Sequence, residues 1–248
     1  MDLDAVIPRI GASVTFYGAA VIQQFELMGV YTAARADALL QARDKLRSLQ
    51  LLAAAGMDIP RTFIVNNPDV VGSLIDELGG PPVVIKLLES THGLGVILAE
   101  TRKTAISIVE AFQRTNQKVI VQEFIEEARG ADIRVLVVGG RVVAAMRRQA
   151  VDGEFRSNLH RGASATRVKL RQEEVNLVQR AVKLLGLDVA GVDLLRSRRG
   201  PLLLEINASP GLEGIETITG VDIAGAIIEH VVRRARKLAA YRSRQLRK

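Results

Sequence analysis

Residues 193–211 read DLLRSRRGPLLLEINASPG, with Glu205 twelve positions after Asp193 and Asn207 two beyond that. LLR and PLLLEI have the composition of short buried strands. Arg198-Arg199-Gly200 reads as a three-residue hairpin loop with glycine where positive φ is required. If Ser197 pairs with Pro201, Asp193 stands directly opposite Glu205, and the two-residue period of a strand puts Asn207 on the same face. Facing carboxylates repel unless a cation lies between them. Three hard oxygen donors without His or Cys suit Mg²⁺, with nucleotide phosphates completing its shell. The same residues also read as a solvated acidic pair at a hairpin mouth.

Upstream, DIRVLVVGGRVVAAMRR (132–148) reads as a second hairpin, closed by Gly139-Gly140. Pairing Val138 with Arg141 places Asp132 opposite Arg147, with Arg134 on the same face. The core face then carries Ile133, Val135, Val137, Val142, Ala144 and Met146. Further strands are expected at 4–10, 63–66, 83–88, 96–99 and 119–125. Helices are expected from Val14 to Gly29, with Phe16, Ala20, Ile22 and Phe25 inward, and from Gln41 to Ala55, stopped by Gly56. Others follow the Asn67-Pro68 and Thr101 caps, run from Gln172 to Leu185, and begin near Val221. Residues 151–165 read as a polar loop. Strands and helices interspersed with hairpins predict an α+β (mixed α/β) fold rather than an all-parallel sheet.

At 248 residues, 48% of them hydrophobic, the chain is long enough to bury a substantial core. It has no cysteine, which excludes disulfides and thiol catalysis and fits a reducing, cytoplasmic compartment. MDLDAVIPRIG has no basic segment leading into an apolar one, so no secretory signal is expected. No apolar run approaches the ~18–20 residues of a membrane span, so no membrane association is expected. The net charge of +7 is local: Arg233 to Lys248 holds eight basic residues and no acid, and without them 26 basic residues face 27 acidic ones. That tail reads either as a contact for nucleic acid or an acidic partner, or as a solvated helix end.

Several residues carry chemistry. Lys86 lies within an otherwise apolar strand, where its charge must be paired or face a cleft. Ser90-Thr91-His92-Gly93-Leu94-Gly95 joins two strands, and reads as a phosphate-approaching loop or as a simple turn. Lys45, beside Arg43 and Arg47, reads as a ligand for anions or as part of a solvated helix face. Arg156, Ser157 and Asn158, with His160 and Arg161, fit carboxylate or phosphate recognition, or an ordinary polar loop. His92 and His160 have no metal-ligand spacing between them.

In this order, Lys45, VVIKLLESTHGLGV, VIVQEFI, DIRVLVV, FRSNLHRG and AGVDLL…LLLEINASPGLEGIE resemble the ATP-grasp superfamily. The resemblance is closest to the RimK-type α-L-glutamate ligases, from AVIPRIG to about residue 230. It implies two α/β subdomains clasping ATP, a small lid subdomain at 43–118 and a C-terminal subdomain at 119–248 with the basic tail at 233–248, and a remnant of a preceding domain at 1–42. Carried over by motif, Lys45 and Lys86 contact ATP phosphates beneath the loop bearing Ser90, Gly93 and Gly95. Glu123 and Phe124, the latter in place of an expected Tyr, offer backbone to adenine. Asp132, Arg156, Ser157 and Asn158 complete the nucleotide site, with Arg134, Arg156 and Asn158 serving the reaction. Asp193, Glu205 and Asn207 hold metal, implied to be two Mg²⁺ ions with Mn²⁺ as the alternative.

The implied activity is ATP-dependent addition of L-glutamate, through an acyl phosphate, to the C-terminal tail of a small-subunit ribosomal protein, or to free glutamate. A homo-oligomer and a ribosome contact through the basic tail are further expectations. The alternatives are ligation of another amino acid or a carrier protein, or a catalytically silent ribosome-binding module. Family members carry an additional α/β segment of a few dozen residues before the opening strand, so acceptor recognition is the part of the expectation it touches most.

Overall fold

The computed structural model describes residues 3–88, 95–157 and 162–245. The N-terminal part comprises β1 (Ala5–Val6), α1 (Thr15–Leu27), β2 (Tyr31–Thr32), α2 (Ala36–Arg43) and α3 (Lys45–Ala54). A smaller unit follows with β3 (Thr62–Val65), α4 (Val71–Glu77), β4 (Val83–Leu87), β5 (Val96–Ala99), α5 (Arg102–Arg114) and β6 (Val119–Glu123). The rest comprises β7 (Ala131–Val138), β8 (Arg141–Gln149), β9 (Ser164–Arg167), α6 (Gln172–Leu184), β10 (Val189–Ser197), β11 (Gly200–Asn207), α7 (Glu213–Thr219) and α8 (Ile223–Gln245). β1 and β2 pair in parallel, whereas the four-stranded sheet β3-β6-β4-β5 and the five-stranded sheet β11-β10-β7-β8-β9 are antiparallel throughout. This is the mixed α/β architecture expected.

The five-stranded sheet is buried on both faces, which is why its strands lack simple polar–apolar alternation. One face sends Ile133, Val135, Val137, Val192 and Leu194 against α2, α3 and α6 through Leu39, Leu52 and Val178. The other sends Leu136, Val138, Ala144 and Met146 against Ile215, Ile223 and Ile227 of α7 and α8. That second face is apolar only over half its length. Towards the small sheet, the same face carries Asp132, Arg134, Arg148 and Asp193.

The small sheet has its own core, in which Val83, Ile85, Val119 and Val121 meet Ile75 of α4 and Val109 of α5. Pairing of β6 with both β3 and β4 carries this unit past residue 118, because Gln122 and Glu123 are still in its ladder. At the other end, Leu52 and Met57 belong to the large sheet's core, so α3 is not part of the small unit.

Local chemistry explains where elements differ from expectation. The helix expected from Gln41 to Ala55 is broken at Asp44, whose carboxylate caps α3 by accepting from Arg47 N at 3.0 Å. The expected first strand shrinks to two residues. α1 turns Gly18, Ala19 and Ile22 inward, while Phe16, expected inward, is 86% exposed, Ala20 is exposed and Phe25 is half-buried. Ala19 and Ile22 pack with Ala36, Ala38 and Leu39 of α2, and Gly18 lies close against Ile10, so the opposite face of α1 is left outward. Part of the expected polar loop is a strand, β9, and α7 was not expected at all. The basic tail continues α8 as helix to Gln245, its last buried residue being Ala235.

Candidate functional site

A cleft between the two sheets gathers residues from α3, β4, β6, β7, β8, β10 and β11, with the 151–157 segment along one side. The hairpin β10–β11 delivers Asp193 opposite Glu205, as its sequence predicts, but by a different route. Ser197 pairs with Gly200, so the turn is the two residues Arg198-Arg199, and Gly200 follows it at φ 107°. The lost turn residue reappears as a bulge at Leu204, between the pairs Leu194–Leu203 and Asp193–Glu205. Asn207 lies opposite Gly191, and its Oδ1 accepts from Ser209 N at 3.3 Å.

The hairpin β7–β8 does not compensate in this way. Val138 pairs with Arg141 as expected, but a bulge at Val143 shifts everything beyond it, so Asp132 faces Arg148 rather than Arg147. Ala144 and Met146 consequently share a face with Leu136 and Val138, not with Ile133 and Val135. Arg148 binds Asp132 through Nε–Oδ1 and Nη2–Oδ2 at 2.6 and 2.5 Å, and reaches Asp193 Oδ2 at 2.9 Å. Arg134 holds Asp193 from the other side. Two buried carboxylates and two guanidiniums thus neutralise one another. Burial disfavours the Asp193 charge, yet the two arginines hold its carboxyl well below the usual range. Asp132 moves the other way, raised by burial and by the nearby Asp193 charge; Ser157 also bonds it.

Above this network stand the lysines. Lys86 Nζ donates to Gln122 Oε1 at 2.6 Å, and Lys45 Nζ donates to Leu87 O at 3.1 Å. Burial pushes the Lys86 ammonium down to about 8; the Lys45 charge adds to this, and Glu205 and Asp193 partly offset it. Lys45 and Arg43 are also lowered by burial and supported by Glu205. Three cations lowered by burial around a single exposed carboxylate make a site that gains from receiving a polyanion.

The segment after β6 is tied down by Glu123. Its carboxylate accepts from Arg61 N at 2.7 Å, Arg61 Nε at 2.9 Å and the guanidinium of Arg199 at the β10–β11 turn. Glu123 N donates to Arg61 O at 2.9 Å, so its N–H is already engaged. Glu127 Oε1 accepts from Arg198 N at 2.8 Å. Phe124 packs edge-on against Phe155, with centroids 6.5 Å apart, and Arg156 lies over the Phe155 ring. Arg156 is gripped by Glu154, whose carboxyl it lowers to about 2, and Arg156 Nη1 donates to Val96 O of β5 at 3.3 Å.

Of the residues singled out from the sequence, Lys45, Lys86, Glu123, Phe124, Asp132, Arg156, Ser157, Asp193 and Glu205 line this cleft. Arg134 joins it through Asp193. Gly95 opens β5 at φ 69°, close against Leu87. Ser90, Gly93, Asn158, His92, His160 and Arg161 lie outside the described residues. Sequence reasoning missed Arg148, Gln122, Glu154, Arg61 and Arg199. Gln122 carried a signal, since an amide among Val119, Ile120 and Val121 needs a buried partner. Arg148 carried none that an unbulged register would reveal.

The donor set fits a hard cation. Asp193, Glu205 and Asn207 offer only oxygen, on one face of one hairpin. Among the described residues no three His, Cys, Asp or Glu side chains converge, so protein carboxylates alone do not form a closed cage. Mg²⁺ is typically held in this way, by one or two carboxylates plus substrate phosphates.

Comparison with known proteins gives the family. Residues 42–231 match the RimK-like ATP-grasp domain, and residues 1–39 match the RimK PreATP-grasp domain. A probable alpha-L-glutamate ligase of Aliivibrio fischeri is 60% identical over 235 residues, covering 95% of this chain and 78% of that one. One of Vibrio cholerae is 59% identical over 232 residues, covering 94% and 77%. The ATP-grasp ligase PsnB, solved with a precursor variant, Mg and ADP, superposes at TM-score 0.72 and 25% identity, over 90% of this chain and 68% of that one. A RimK domain ATP-grasp protein from Sphaerobacter thermophilus superposes at TM-score 0.70 and 25% identity, over 94% and 82%. The chain belongs to the RimK-like ATP-grasp family and is an ATP-dependent ligase.

Proposed function

We propose that the protein uses ATP and Mg²⁺ to join L-glutamate to a C-terminal carboxylate, the acceptor being the tail of a small-subunit ribosomal protein or a glutamate chain. The observation that carries this reading is the cleft where Lys45 and Lys86 face Glu205 and Asp193. The names of the relatives support glutamate as the added amino acid, and the ligands of solved neighbours support ATP and Mg²⁺. The small unit, β3 to β6, acts as the lid, the C-terminal unit supplies the metal hairpin, and residues 1–42 belong to the preceding domain.

A carboxylate does not condense with an amine in water because oxide is a poor leaving group. In this reading the acceptor carboxylate oxygen attacks the γ-phosphorus and ADP leaves. The amine of glutamate, having lost its proton, attacks the acyl carbon, and phosphate departs with the C–O bonding pair. Lys45 and Lys86 hold the phosphates and offset the charge that builds during transfer. Asp193, Glu205 and Asn207 hold Mg²⁺, which when bound screens phosphate charge. The adenine lies along the hinge at Glu123–Ile125, using carbonyl and N–H groups not taken by Arg61. Arg156, which already joins the 151–157 segment to β5, helps close the cleft against water, to which an acyl phosphate would be lost. Arg134 orients Asp193, and Asn158 is assigned to the reacting groups by motif alone.

The test is ADP release with single amino acids and in competition. Release that depends on glutamate supports the reading. Release with another amino acid and none with glutamate overturns it.

A further inference from the structure

On the far side of the large sheet, β9 covers only half of β8. Ser164–Arg167 pair with Met146–Gln149, and Val168 N adds a bond to Ala145 O at 3.3 Å. Among the described residues nothing pairs with Arg141–Ala144 on that side, leaving an open sheet edge. The edge floors a groove walled by Val175 and Gln179 of α6 and by Thr219 and Val221 at the end of α7. Exposed Arg141, Arg167 and Lys169 stand around it, and among the described residues no Asp or Glu lines it. None of the three cations has an ion-pair partner among the described residues.

An unpaired edge is a template for another strand, and its side-chain charge selects which strand. We infer that this groove binds an extended acidic peptide, the glutamate-bearing tail of the enzyme's acceptor or product, by strand addition along Arg141–Ala144. The inference rests on the proposed function for the identity of that peptide. Val143 is five residues from Arg148, roughly 17 Å along the strand. A tail whose end is in the cleft therefore needs about five extended residues before it engages the groove. Short tails would not feel it, and long ones would be retained between additions.

The experiment measures binding of fluorescent deca-glutamate, tri-glutamate and deca-glutamine, without ATP, to wild type and to an Arg141→Glu/Arg167→Glu/Lys169→Glu variant. All three positions are exposed, so folding is expected to survive. The variant should bind deca-glutamate at least tenfold more weakly, with tri-glutamate unaffected and deca-glutamine weak in both. Its KM should rise for acceptors ending in eight glutamates but not two, at unchanged kcat. Equal deca-glutamate affinity in both proteins would overturn the inference, as would deca-glutamine binding as tightly. A wild-type oligomer that dissociates in the variant, with peptide binding unchanged, would assign the groove to a second copy instead. Binding needs no turnover, so a wild type that binds deca-glutamate yet transfers no glutamate would count against the ligase reading and leave the groove standing.

Discussion

Arg134 holds Asp193 by both carboxylate oxygens, Nε to Oδ1 at 2.8 Å and Nη2 to Oδ2 at 2.7 Å. The residue best placed by the sequence to bind metal is thus also one side of a buried ion pair, and its partner Glu205 is exposed. The two carboxylates should therefore answer differently to loss of charge.

Glu205→Gln should abolish ADP release while leaving the urea midpoint within experimental error, since it removes an exposed charge. Asp193→Asn should abolish turnover and also destabilise the fold, because it leaves Arg134 and Arg148 short of a buried partner. Undiminished ADP release from Glu205→Gln would refute its metal role. A stable Asp193→Asn would refute the structural one.

Arg148 is the pivot of the same network. Replacing it with Met leaves Asp132 and Asp193 buried without its two-sided support, at a cost of about 3–5 kcal/mol. Urea unfolding reads that cost directly, and a loss below ~1 kcal/mol would mean that the two carboxylates find other partners.

Lys86, pushed down to about 8, gives a pH dependence of definite sign. Its folded pKa lies below the unfolded value of about 10.4, so the unfolded chain binds more protons between these limits and Lys86 makes stability rise with pH there. Nucleotide binding runs the other way. Phosphates favour the ammonium, so ADP binding at pH 9 should take up a proton that binding at pH 7 does not. Calorimetry in two buffers of different ionisation enthalpy reads this, and Lys86→Met should abolish the difference.

Arg199 joins the tip of the β10–β11 hairpin to Glu123 at the end of β6. Arg199→Ala should loosen the segment after β6 relative to β10–β11 and raise the KM for ATP several-fold, while the large sheet stays folded. An unchanged KM would mean that Arg61 alone fixes Glu123.

How much of this was legible in the sequence depended on bulges. In β10–β11 a turn one residue shorter than expected and an extra residue at Leu204 cancelled, so Asp193 still met Glu205. In β7–β8 the bulge at Val143 has no such compensation, so an unbulged register gives Asp132 a partner one position off and puts Ala144 and Met146 on the opposite face. Bulges answer to sheet twist and to packing on both faces, which strand periodicity does not encode. Helix caps were easier, because Asn67 and Thr101 act within a few residues. Phe16 shows the opposite limit: apolar character said it wanted cover, and no local rule said which elements were near enough to give it.

The most direct test of the central claim is intact mass spectrometry after incubation with ATP, Mg²⁺ and glutamate. It would be run with a small-subunit ribosomal protein as acceptor and with glutamate alone, comparing wild type with Glu205→Gln. The account predicts a ladder of glutamyl additions in at least one wild-type reaction, matched by ADP, and none with Glu205→Gln. A folded wild type that binds ADP and Mg²⁺ yet adds no glutamate in either reaction, or a Glu205→Gln variant that produces the same ladder, would contradict it.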